Sequence, residues 1–132
     1  MFGKKTQPPI KSLIAQGTRI EGNVKFSEGL RVDGEVFGDI QAAPEESGSM
    51  LVISEQAKVE GEVRVAQLVV NGEITGPVYS SELLELQPKA RITGDVYYKA
   101  LEMHGGALVS GKLTHDQVGE PILKLALAAS NT

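Results

Sequence analysis

The chain has 132 residues, 41% of them hydrophobic but only 5% aromatic, with 15 glycines, no tryptophan and no cysteine. That length allows one domain around a single core of Val, Ile and Leu, and the missing thiols exclude a disulfide-stapled scaffold or a thiolate metal site. The net charge of −4 is unevenly spread: Lys4, Lys5, Lys11 and Arg19 precede the first acid, Glu21, leaving 9 basic against 17 acidic residues, or −8, for the remainder. Such a body excludes a nucleic-acid partner, whose phosphates need Lys and Arg to neutralise them.

Residues 1–12 read as a flexible tail. Met1-Phe-Gly-Lys-Lys5 lacks the apolar run of a secretory signal, and Phe2 stands where myristoylation needs glycine, so the expected location is cytoplasmic. From residue 18 the pattern [Ile/Val]-x-Gly-x-[Val/Ile/Leu] returns at 20–24, 32–36, 36–40, 59–63, 70–74, 74–78, 92–96 and 109–113. One glycine per unit, at Gly22, Gly38, Gly61, Gly76, Gly94 and Gly111, gives steps of 16, 23, 15, 18 and 17, averaging (111 − 22)/5, or 17.8. The longest step holds Ala42-Ala-Pro-Glu-Glu-Ser-Gly-Ser49, whose turn formers predict an inserted surface loop over 42–49.

Within each motif the apolar residues lie four apart around a central glycine, with acids and amides between. That is the period of two of a strand with one wet face, and it excludes a helix across 18–113. Strands recurring near every 18 residues, with no helix to carry a crossover, pair by winding, each coil about 4.8 Å above the last. The expected fold is all-β, a parallel β-solenoid of about six coils over 13–115. The apolar motif positions, together with Leu86 and Leu101, are expected to stack inside it.

The end coils of such a rod carry unpaired backbone groups and a disc of aliphatic side chains, which solenoids ordinarily cover with a polar cap. The sequence offers only a polar start with Pro8-Pro9 and, over 116–132, a tail with a weak helix candidate after Pro121. Two readings stay open here: self-assembly through the ends, or a monomer capped by its own tail. A monomeric adaptor presenting its charged sides to a partner belongs with the second.

Ile14-Ala-Gln-Gly-Thr-Arg-Ile-Glu-Gly-Asn-Val24, Leu30-Arg-Val-Asp-Gly-Glu-Val-Phe-Gly-Asp-Ile40 and Leu68-Val-Val-Asn-Gly-Glu-Ile-Thr-Gly-Pro-Val78 resemble the bactofilins, bacterial polymer-forming cytoskeletal proteins. The resemblance covers about 13–113. It implies a right-handed β-helix with disordered termini and end-to-end polymerisation without nucleotide, metal or other cofactor. It further implies peripheral association with the inner face of the cytoplasmic membrane and scaffolding of cell-wall or cell-shape enzymes. Order along the rod assigns Leu13, Ile14, Ile20 and Val24 to the N-terminal contact, and Leu101, Met103, Leu108, Val109 and Leu113 to the C-terminal one. Met1, Phe2, Lys4 and Lys5 are similar to the family's membrane peptide, with Phe2 entering the bilayer and the lysines meeting anionic lipid.

Signals of chemistry are weaker. Gly106-Ala-Leu-Val-Ser-Gly-Lys112 matches the start of a phosphate-binding loop, but Leu113 stands where magnesium needs Ser or Thr, and the stretch is also the last repeat. His104 and His115 are the only histidines and lack a third zinc ligand. Glu21, Asp33, Glu35, Glu60, Glu62 and Asp95 fall on outward positions, where a solvated face is expected. A left-handed hexapeptide-repeat enzyme, of acyltransferase or carbonic anhydrase type, is the competing reading, because some glycine steps are multiples of six. It would place an aliphatic residue directly before glycine, where this chain has Glu21, Asp33, Thr75 and Thr93. No enzyme activity is therefore expected.

Overall fold

A computed structural model describes residues 9–43 and 48–115. Every regular element among them is a strand, and every strand pair is parallel. The first coil consists of β1 (Ser12–Ile14), β2 (Arg19–Glu21) and β3 (Val24–Phe26), and the second of β4 (Gly29–Val32), β5 (Glu35–Phe37) and β6 (Ile40–Ala42). The third runs through β7 (Met50–Ile53) and β8 (Lys58–Glu60) into β9 (Val63–Val70), and the fourth leaves β9 through β10 (Glu73–Thr75) into β11 (Val78–Leu86). The fifth leaves β11 through β12 (Arg91–Thr93) and β13 (Val96–Tyr98), and the sixth is β14 (Leu101–Met103), β15 (Leu108–Ser110) and β16 (Leu113–His115).

The strands line three faces. The second strand of each coil forms a separate six-stranded sheet in the order β15-β12-β10-β8-β5-β2. The other two faces merge into one sheet, because β9 and β11 continue round the corner between them. Ile20 pairs with Val36, Val36 with Val59, Val59 with Ile74, Ile74 with Ile92 and Ile92 with Val109, which reproduces the glycine steps of the sequence. At about 4.8 Å per coil the stack is roughly 30 Å tall.

Inward columns explain the residue choice. Leu30, Leu51, Leu68 and Leu84 form one buried column, and Val32, Ile53, Val70 and Leu86 lie beside it. The motif residues supply the columns of the other faces, all buried from Val36 to Val96. At a typical 1.5–3 kcal/mol for each fully buried aliphatic side chain, these columns dominate the stability.

Two kinds of corner close each coil. At one, Gly22, Gly38, Gly61, Gly76, Gly94 and Gly111 stack in a file, and a Cβ on any after the first would overlap the carbonyl of the glycine one coil earlier. The residue after the glycine caps the next coil: Asn23 Oδ1 accepts from Asp39 N at 2.9 Å, Asp39 Oδ1 from Glu62 N at 2.9 Å and Asp95 Oδ1 from Lys112 N at 3.1 Å. The row of caps, but not the glycine file, breaks where Pro77 follows Gly76, since proline has no N–H to be capped.

At the opposite corner, four-residue turns at 15–18, 54–57, 87–90 and 104–107 alternate in part with the two-residue turns Asp33-Gly34 and Asn71-Gly72. Ala57, Ala90 and Ala107 end long turns and are buried. Asp33 sits in a recess between longer turns. Its carboxyl is held below the usual carboxylate range, first by the Ser54 hydroxyl of the next coil, with burial opposing and Arg31 helping; Arg31 Nε donates to it at 2.9 Å.

The 42–49 loop is shorter than the sequence suggests. Ala42 is buried at the end of β6, and Ser49 is buried, its Oγ accepting from Ala66 N at 3.1 Å. Residues 44–47 lie outside the described set. The turn-forming composition conceals these anchors because a small polar residue packs at the corner as well as it would in a loop.

Candidate assembly surfaces

The two ends of the rod differ chemically from its sides. β1, β2 and β3 pair only with β4, β5 and β6, and β14, β15 and β16 only with β11, β12 and β13, so each end presents three unpaired strand edges among the described residues. The exposed large hydrophobic side chains among these residues are Ile10 at 44%, Leu13 at 58%, Met103 at 45%, Leu108 at 57% and Leu113 at 40%. All five belong to the first or last coil or, for Ile10, to the strand's approach. The sides of the rod between them carry none.

The same columns that are buried in the middle surface at the ends. Val109 continues the column of Ile92, Leu113 that of Val96, and Leu101 and Met103 those of Leu84 and Leu86. Ile20 and Val24 begin their columns and are half-buried, as are Leu101 and Val109. Ile14 is 8% exposed, although it starts the column of Val32. Leu13 and Leu108 stand apart from the discs: Leu13 pairs with Arg31 and Leu108 with Arg91, both outward positions, so these two leucines lie on the flanks of the end coils.

Three end residues were not anticipated from the sequence. Phe26 lies one inward step beyond Val24 and packs against the core, and His115 lies one inward step beyond Leu113, in register with Tyr98. The period of two, carried past the motif, would have reached both. Ile10 precedes the first repeat and has no such signal.

Charges at the ends are paired along the surface. Lys11 Nζ meets Glu28 at 3.1 Å, and Arg19 Nε meets Glu21 at 3.0 Å while its guanidinium lies 4.4 Å over the Phe37 ring. At the other end His104 Nε2 is 3.3 Å from Glu85. On one side Arg64 covers Tyr79 at 3.9 Å, and Tyr79 stacks on Tyr97 with ring centroids 4.8 Å apart. Such ladders tie neighbouring coils together. The 106–112 stretch is β15 with its flanking turns, a coil like the others.

The family model for bactofilins, described as polymer-forming cytoskeletal, matches residues 12–114. The chain belongs to the bactofilin family. It is similar to bactofilin BacO of Myxococcus xanthus (strain DK1622), with 25% identity over 115 residues that cover 87% of each chain. No solved structure gives a significant match. As a bactofilin, it is a polymer-forming cytoskeletal protein built on a parallel β-solenoid whose two ends are uncovered among the described residues. Met1, Phe2, Lys4 and Lys5 lie outside the described residues; among those described, no helix is long and apolar enough to cross a membrane.

Proposed function

We propose that this bactofilin polymerises end to end, joining discs of aliphatic side chains and unpaired strand edges, and that the polymer lines the cytoplasmic membrane as a scaffold for cell-wall or cell-shape enzymes. The observation that carries the assembly reading is that, among the described residues, exposed large hydrophobic side chains are confined to the first and last coils and the approach to the first. Joining ends pairs backbone groups and buries aliphatic area with no ligand to supply energy, and a contact repeated at both ends yields an open filament. The proposed contact residues are Ile20 and Val24 at one end and Leu101, Met103, Val109 and Leu113 at the other, with Leu13 and Leu108 on the flanks of the joined coils and Ile14 already buried.

Membrane association rests on Met1-Phe-Gly-Lys-Lys5. Inserting Phe2 contributes about 1.5–3 kcal/mol and each lysine at an anionic surface about 1 kcal/mol. A total near 4 kcal/mol corresponds to a dissociation constant of about 1 mM, so one copy binds weakly while a filament carrying many copies binds by avidity. Attachment therefore follows assembly.

Negative-stain microscopy of the purified chain without nucleotide or divalent metal tests the assembly reading. Filaments are expected from the wild type, and isolated short particles from Leu113→Lys or Val109→Lys, whose charge would be buried unpaired at a junction. Short particles from the wild type at high concentration would refute it. Deleting residues 1–6 should leave filaments intact but abolish pelleting with anionic liposomes; undiminished pelleting would refute the membrane reading.

A further inference from the structure

Both histidines of the chain, His104 and His115, lie in the last coil, and only one of them belongs to the end disc. His115 continues the inward column that runs through Val65, Ser80 and Tyr98. Its ring stands 5.7 Å from that of Tyr98, tilted by 46°, and its Nε2 is 3.0 Å from the Lys99 carbonyl, which assigns the proton to Nε2. The groups facing it from β13 are the Tyr98 ring and that carbonyl, and among the described residues no acid forms an ion pair with it. His104 is on the opposite corner, at the turn after β14, where its partner is Glu85, a carboxylate that also accepts from Gln87.

We infer that His115 is a junction residue and that its protonation weakens end-to-end assembly. The inference rests on the polymerisation reading above. At a free end the imidazole is exposed, and a charge on it is hydrated. At a junction the same ring loses its water and gains no described counter-charge, which favours the neutral form. Assembly is therefore strongest with this imidazole neutral and weakens as it takes up a proton. Protonating His104 instead strengthens its pair with Glu85, away from the disc, so it serves as the internal control.

The test is the critical concentration for filament formation of the full chain, measured by pelleting at pH 7.5 and pH 6.0, a window above the carboxylate range. The wild type and His104→Gln should show at least a threefold higher critical concentration at the lower pH. His115→Gln and His115→Phe should show the same value at both. An equal rise in the His115 variants, or no rise in a wild type that does form filaments, overturns the inference while leaving the polymerisation reading standing. A wild type forming no filaments at either pH overturns both.

Discussion

Gly61 lies so close over Gly38 that a methyl group on its α-carbon would overlap the Gly38 carbonyl, and its φ of +153° is one that L side chains rarely adopt. Gly22, at the first step of the same file, has a comparable φ of +141° but nothing within 4 Å of that position. Gly61→Ala should therefore cost about 3 kcal/mol or more, from strain and collision together, and Gly22→Ala only the strain of about 1–2 kcal/mol. Thermal unfolding followed by circular dichroism should show a drop for Gly61→Ala at least about 10 °C larger than any small one for Gly22→Ala. Equal drops would mean that the coils shift to make room.

Position along a column should separate folding from assembly. Leu68 is buried in the middle of the rod, whereas Leu101 sits one coil beyond Leu84 at the end of the same column and is half-buried. Leu68→Ala should lower unfolding stability by about 2–5 kcal/mol through the cavity it leaves. Leu101→Ala should cost under about 1.5 kcal/mol yet raise the critical concentration for filaments severalfold. Denaturant titration paired with pelleting reads both quantities, and a Leu101 variant that assembles normally would remove that residue from the contact.

Asp33 gives the fold a pH dependence of known sign. A carboxyl whose proton affinity is lower in the folded chain stabilises the fold above the ordinary carboxylate range, and that contribution disappears as pH falls through the lowered value. Asp33→Asn should therefore be less stable than the wild type at pH 6, with the gap closing below about pH 4. Urea midpoints at pH 6 and pH 3 check this. A gap that stays constant would show that Asp33 acts through its shape and hydrogen bonds instead of its charge.

Much of this architecture is legible in the sequence because a solenoid repeats one local rule. The motif of Ile20, Gly22 and Val24 specifies a strand, a tight corner and a strand, and its recurrence sets the register without any long-range information. The leucine column of Leu30, Leu51, Leu68 and Leu84 is harder to see, since these residues precede the motif at spacings that vary with turn length. The ends were legible only in part. Sequence order identifies which coil is last but not which way a side chain leaves it, so Leu13 and Leu108 join the inward residues in any list, although register places them on the flanks. His115 is hidden because a polar residue at an inward position has no apolar signature.

The continuity of β9 and β11 round their corner has a mechanical consequence. In the middle of the rod, eight- and nine-residue strands hold two faces at once, whereas every strand of the first and last coils has three residues and, among the described residues, a neighbour on one side only. Strand pairing is therefore densest at the waist and thinnest at the tips. If subunits join tip to tip as proposed, docking a second tip would supply the missing neighbour, so growth of the polymer would complete the backbone pairing of each subunit and a departing subunit would give it up.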